Sequence, residues 1–159
     1  MTVQILKEGA ETFSLSPLVI KNPKDYFHIH TYGGLTPFFR GLAEGKLLGT
    51  CCPNPACTEH RIWLPPRVHC PDCYTPMAWQ EVAPRGVLYT HTTVLYPGSS
   101  FRLSTPCPLV SVEIEGVCTK LMSYLKEGKP EIGMPLEAVF NTAKPTYTIL
   151  DLAWIPAKK

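Results

Sequence analysis

The sequence predicts a mainly β protein: a short helix near the start, a small cysteine-bearing lobe, and a compact barrel of about five strands. Three observations lead there. Seventeen prolines among 159 residues leave little room for long uninterrupted helices. Residues 86–157 run in short bursts rich in Val, Ile, Leu, Thr and Tyr, with Pro, Gly or Asn between most of them. Four of the seven cysteines stand as two close pairs in a segment with almost no core of its own.

Residues 1–35 form a mixed, turn-rich N-terminal extension. It contains FSLSPLVI and, after Lys21-Asn22-Pro23, the alternating run Tyr26-Phe27-His28-Ile29-His30-Thr31-Tyr32, which Gly33-Gly34 breaks. His28 and His30 share a strand face with Tyr26 and Tyr32, and that face reads as a packing or interface surface rather than a metal site. Residues 36–48 read as a short helix and its exit. Thr36 is the expected N-cap, Pro37 suits the first helical position, and Gly45 is the expected stop. Phe38, Phe39 and Leu42 give the helix one apolar face, while Gly41 weakens it. Residues 49–82 hold the cysteines. Residues 83–159 carry the bursts GVLYTHTTVLY, PLVSVEIE, CTKLMSYL, PLEAVF and YTILDLAWIP, expected as the barrel strands.

Composition narrows the function classes. With 45% hydrophobic and 18% charged residues the chain has enough apolar material to fold. The formal charge of +2 comes without any basic run beyond Lys158-Lys159, so nucleic acid is a poor expectation. The first residues, MTVQILKEGAETFSL, lack the features of a signal peptide, and no apolar stretch approaches the roughly 18 residues of a membrane span. An odd cysteine number fits a disulfide framework poorly and points to the reducing cytoplasm.

The cysteine spacing is Cys52-x4-Cys57-x12-Cys70-x2-Cys73. Two close pairs a dozen residues apart suit tetrahedral zinc, because each pair makes a tight turn that delivers two sulfurs to one ion. Such a site supplies on the order of 10 kcal/mol of folding free energy or more. Four thiolates close the coordination sphere, so the zinc is expected to be structural rather than catalytic. Cys51 in place of Cys52, and His60 in place of Cys57, stand as alternative ligands. Disulfides or unrelated core thiols are the bland alternative, and core thiols would not bunch amid Pro and Asn. Cys107 and Cys118 read as small buried hydrophobes.

Several motifs occur in a recognisable order. They are Gly45-Lys46-Leu47-Leu48, the cysteine pairs, Pro65-Pro66-Arg67, His69-Cys70-Pro71-Asp72-Cys73, Trp79 and Gly86. Pro108-Leu109-Val110-Ser111-Val112-Glu113 and Ile132-Gly133-Met134-Pro135-Leu136-Glu137-Ala138-Val139-Phe140 follow. Over about residues 36–157 this resembles the DUF35 family of acyl-CoA-associated proteins. The resemblance implies an N-terminal helix, a rubredoxin-like zinc ribbon and a C-terminal five-stranded OB-fold barrel. It also implies a thiolase-type partner subunit and an acyl-CoA bound at or near the shared interface. The long N-terminal segment and the four-residue gap of the first knuckle are similar to the zinc-finger subunits of benzoylsuccinyl-CoA thiolases. Thr58 and Tyr74 depart from the family, which often has Gly after the ligand cysteines. Tyr74 therefore implies a strained or altered second knuckle that keeps its ligands.

Catalysis by this chain alone is not expected. His91 sits in a Thr-rich strand pattern; Glu113 and Glu115 read as the solvated face of a strand whose other face carries Val112 and Ile114; Ser99-Ser100 reads as a turn. None forms a nucleophile–base pair in sequence. The leading expectation is a non-catalytic zinc-binding subunit of a thiolase-type complex, docking through Tyr26, Phe27, Tyr32, Phe38, Phe39 and Trp63. In it Arg67 braces the ribbon and Arg102 is an exposed loop cation. The alternative is a single-stranded nucleic-acid binder using Tyr89, Tyr96, Phe101 and Tyr124 with Arg102, Lys120 and Lys126.

Overall fold

The structure, a computed structural model, describes residues 11–13, 19–21, 31–99 and 101–158. The chain divides into two compact units, residues 1–31 and 32–159. In the first, β1 (Glu11–Phe13) and β2 (Val19–Lys21) pair antiparallel, with Thr12 opposite Ile20. The expected strand Tyr26–Tyr32, with His28 and His30, lies outside the described residues except for Thr31 and Tyr32, which are not in a strand.

The second unit opens with a 3-10 turn, Gly33–Leu35, that runs directly into helix α1 (Thr36–Ala43). This corrects the expected cap. Leu35 occupies the N-cap position with helical backbone, and Thr36 donates its hydroxyl to Gly33 O at 2.7 Å instead of accepting from the helix. The preceding turn already supplies an acceptor for Leu35 N, namely Tyr32 O at 3.0 Å. The stop at Gly45 is as read. Its φ of +78° lets Lys46 N reach Gly41 O (2.8 Å) and Gly45 N reach Leu42 O (3.2 Å), a Schellman arrangement. Gly41 has a packing reason, since a Cβ there would stand 2.9 Å from Leu48 Cδ1. The helix buries Phe38 and Leu42, one turn apart.

The ribbon is built on β3 (Leu47–Cys51) and β4 (Ala78–Val82), paired antiparallel from Leu47↔Val82 to Cys51↔Ala78. Between them the chain returns along the other edge of β3, where Thr50 and Trp63 exchange both main-chain bonds, at 3.0 and 2.7 Å. This returning segment ties the ribbon to the barrel. Cys118 N donates to Ile62 O at 2.9 Å. The Thr119 hydroxyl donates to Leu64 O at 2.6 Å and accepts from Leu64 N at 3.2 Å.

The barrel comprises β5 (Arg85–Val94), β6 (Cys107–Glu113), β7 (Lys120–Leu125), β8 (Pro135–Phe140) and β9 (Leu152–Pro156). It closes in the order β5-β6-β7-β9-β8; β7 and β9 are parallel and all other pairs antiparallel. This is the expected mainly β architecture of helix, cysteine ribbon and five-stranded OB-type barrel. The core follows strand alternation: Val110, Val112, Leu121, Leu136, Leu152 and Trp154 point inward, and Phe38, Leu42, Leu47 and Leu64 join them from helix and ribbon. The burst YTILDLAWIP starts its strand only at Leu152, because Ile149–Asp151 form a 3-10 turn. Asp151, 1% exposed, organises that turn. Its carboxylate accepts from Thr146 N (2.8 Å), Tyr147 N (2.7 Å), the Thr146 hydroxyl (2.9 Å) and Asn141 Nδ2 (3.2 Å). Burial pushes this carboxyl up, but the donors from Thr146, Tyr147 and Asn141 outweigh it and the net shift is downward.

Candidate metal centre

Two turns carry the four thiols. In the first, Cys52-Pro53-Asn54-Pro55-Ala56-Cys57, Asn54 closes an Asx turn by accepting Ala56 N on Oδ1 at 3.0 Å, and its carbonyl accepts Cys57 N at 3.0 Å. In the second, Tyr74 N reaches back to Cys70 O at 3.1 Å, and Cys70 N donates to Thr75 O at 2.9 Å. Closing it places Tyr74 at φ +59°. A tyrosine thus occupies the left-handed conformation that glycine reaches at lower cost, and the knuckle carries the expected strain. Thr58, the other departure, shows no such conformation.

The turns face each other. Cys52 Sγ lies 3.5 Å from Cys73 Sγ, Cys57 Sγ lies 3.7 Å from Cys70 Sγ, and all four sulfurs fall within 4.8 Å of one another. A disulfide needs about 2.05 Å. Four thiolates around zinc at about 2.3 Å stand about 3.8 Å apart. The arrangement therefore matches a tetrahedral metal cage and not a disulfide pair. Cys52, Cys57 and Cys70 are buried and Cys73 is half-buried, with Met77 packed alongside. Cys51 is not in the group; it ends β3 opposite Ala78. His60 is also outside it.

Burial and hydrogen bonding shift the thiols in opposite directions. Burial pushes Cys52 up to about 12, with the neighbouring sulfurs adding to the effect. Hydrogen bonding with the Thr75 side chain, 3.3 Å away, and with its backbone brings Cys73 down to about 6. Glu59 N donates to Cys57 Sγ at 3.4 Å. Crowded thiols cannot all ionise without a cation between them, and a dication removes that penalty.

Sequence reading missed the brace beside the first knuckle. Glu59 is 6% exposed and accepts from Arg61 N (3.0 Å) and Arg61 Nε (2.9 Å), which hold its carboxyl down to about 2. The i, i+2 spacing of Glu59 and Arg61 was the available signal. Arg67 lies over the Trp63 ring at 4.2 Å and donates its N–H to Thr50 Oγ1 at 2.9 Å, inside the ribbon.

Of the expected docking aromatics, Phe38 is taken up by the core, which corrects the reading for that residue, while Tyr32, Phe39 and Trp63 are half-buried. Phe38 is 4% exposed in the core; Phe39 stacks on Tyr32 with centroids 3.8 Å apart; Trp63 is half-buried beneath Arg67. Tyr26 and Phe27 lie outside the described residues. Phe38 and Phe39 fasten the short helix onto the core. The exposed apolar side chains are others, among them Tyr89, Leu95, Tyr96 and Met122. His91 is exposed on β5, and Ser99 is exposed, while Ser100 is not described. Glu113 pairs with Lys120 at 2.9 Å, and Glu115 lies beyond the end of β6 rather than on its face.

Residues 79–141 match the family model described as ChsH2, C-terminal OB-fold domain. Among solved structures the chain is similar to one chain of the Ltp2-ChsH2(DUF35) aldolase. The identity is 24% and the TM-score 0.65, over 82% of this chain and 100% of that chain. It is also similar to a DUF35-family protein of unknown function from Sulfolobus solfataricus, with 20% identity and a TM-score of 0.57, over 80% of this chain and 87% of that chain. Residues 79–141 accordingly match an OB-fold domain of the ChsH2 type, and the chain has the fold of these two DUF35 structures.

Proposed function

We propose that this chain is a non-catalytic, zinc-binding subunit of a thiolase-type acyl-CoA enzyme complex, which it helps to assemble and in which it helps to enclose the CoA ester. The observation that carries this is the likeness, over a whole partner chain, to a component of an aldolase named for two associated proteins. Cys52, Cys57, Cys70 and Cys73 would hold one zinc ion as thiolates. When bound, the ion supplies a structural cross-link with no open coordination position. The nucleophile and general base then belong to the partner, and this chain acts by position, holding the ester or the partner's loops near productive geometry.

The functional division we adopt is residues 1–35 as an N-terminal extension with a partner-binding strand, 36–48 as the segment of the helix and its exit into the ribbon, 49–82 as the zinc ribbon and 83–159 as the OB-fold barrel. The finer reading is the zinc-finger subunit of benzoylsuccinyl-CoA thiolase of anaerobic toluene degradation, supported by the long N-terminal segment and the Cys52-x4-Cys57 gap. A cytoplasmic site of action agrees with cysteines that form no disulfide among the described residues. No helix of the described residues is long and apolar enough to cross a membrane.

The test is co-expression with a thiolase-type subunit, sought among the neighbouring reading frames, followed by purification on a tag carried by either one. Stable co-purification, and acyl-CoA turnover that needs both chains, are expected. A partner fully active and soluble alone, with no association, overturns the reading. The nucleic-acid alternative needs free cations on the barrel face, and there Lys120 is engaged by Glu113 and by the Tyr89 ring at 4.8 Å. Salt-dependent binding of a labelled oligonucleotide, with none of a CoA ester, would reverse the order.

A further inference from the structure

The second half of β5 is an unpaired strand edge. β5 meets β8 only through Arg85, Gly86 and Val87. Leu88 then exchanges main-chain bonds with Met134 O (2.9 Å) and Gly133 N (2.8 Å). From Thr90 to Val94 the strand pairs with β6 alone. The direction of its remaining main-chain groups follows from alternation. Leu88 turns its N–H and C=O away from β6, and after the bulge at Tyr89 the same orientation recurs at His91 and Thr93. Thr93 stands opposite Pro108, which has no N–H to give. The His91 and Thr93 groups therefore point off the side of the sheet, where no backbone partner occurs among the described residues.

This edge lacks the usual protection. Tyr89 to Tyr96 contains no Lys, Arg, Asp, Glu, Pro or Gly, and residues 89–93 are exposed. Natural edges carry a charge, a proline or a cover. Apolar surface continues from it: Tyr89 is 55% exposed, Leu95 58%, Tyr96 95% and, on the same barrel face, Met122 57%.

We propose that the Thr90–Val94 edge receives an extended, uncharged strand of the enzyme subunit, added to β5 by main-chain hydrogen bonds. This rests on the subunit reading above. Two arguments select the occupant. The edge offers no counter-charge, so a charged strand would be desolvated without compensation, whereas a neutral one matches it. Five strand residues span roughly 17 Å. Two copies joined along that length alone bury less than the roughly 1,200 Å² of a stable interface. A larger partner that lays a strand on the edge and also covers Tyr89, Met122 and Tyr96 reaches that area.

The experiment compares the wild type with Thr93→Pro and Thr93→Lys for binding to the co-expressed thiolase-type subunit. The proline removes an N–H that the β6 ladder does not use; the lysine adds charge at an exposed position and leaves the main chain intact. Both variants should melt as the wild type does and bind roughly tenfold or more weakly. In the wild-type complex the His91 and Thr93 amides should become protected from hydrogen exchange. Full affinity in folded variants, or unprotected amides in the complex, overturns the edge assignment and leaves the subunit reading standing. A wild type that never binds the subunit removes both. A homodimer abolished by Thr93→Lys would give the edge to a second copy and overturn the proposed occupant.

Discussion

Replacing Asp151 by asparagine keeps the size of the side chain and removes one acceptor oxygen. In the native loop four donors converge on this carboxylate: two main-chain N–H groups, one hydroxyl and one amide. The Thr146 hydroxyl can turn to another acceptor, but the N–H groups cannot. Whichever way the new amide is flipped, its NH2 faces at least one of Thr146 N, Tyr147 N or Asn141 Nδ2. One buried donor left unmet costs about 1–3 kcal/mol, and losing the charge-assisted character of the other bonds adds about another 1 kcal/mol. The expected loss is roughly 2–4 kcal/mol, a large share of the roughly 5–15 kcal/mol that holds a domain folded. Urea titration should show it directly, and the melting temperature should fall by about 5–12 °C. The pH dependence supplies a second readout. The folded-state pKa of Asp151 lies below its unfolded value, so its contribution is fully present above the unfolded pKa of about 3.9 and is lost as pH falls through the folded pKa. The gap between wild type and Asp151→Asn should therefore narrow only in acid below about pH 4. A loss under about 0.5 kcal/mol, or a gap unchanged in acid, would refute the carboxylate's role.

Three further outcomes are expected. The purified chain should carry one zinc per molecule by plasma mass spectrometry; Cys70→Ser should abolish it and unfold the ribbon while the barrel's far-ultraviolet signature persists, and a folded metal-free protein would end the zinc reading. Gly86→Ala should destabilise the barrel by roughly 2 kcal/mol or more in urea titration, because the new Cβ would stand 2.3 Å from the Glu113 carbonyl oxygen. Thr119→Val should cost about 1–2 kcal/mol and speed proteolysis of the ribbon, because both bonds to Leu64 vanish; unchanged protease resistance would show that the ribbon is held otherwise.

The cysteine cage was readable because its signal is local. Two short turns need only Pro, Asn and the x4 and x2 gaps to present sulfurs, and the twelve-residue spacer is long enough to bring them together. Barrel strands were readable for a similar reason, since burial of alternate residues leaves a period-two trace in Val110, Val112 and Ile114. Thr36 was misread because its capping role depends on the turn before it, and a 3-10 turn leaves no trace in residue type. Asp151 and Glu59 went unseen as well. A lone carboxylate looks solvated until the fold surrounds it with donors from residues that are apart in the chain or ordinary in kind.

What the amino-acid order alone determined was the short helix, the run of barrel strands and the presence of a thiol tetrad, because propensity, periodicity and knuckle spacing act over a few residues. What only the tertiary structure decided was which surfaces remain available. Phe38 looked like a docking group and is buried in the core, with Phe39 packed half-buried against it, since a helix of eight residues needs an apolar anchor to hold to a barrel. Thr90–Val94 read only as part of one more barrel strand, and among the described residues no strand pairs with its outer edge, because barrel closure takes only the first residues of β5 and chain order does not reveal where closure stops.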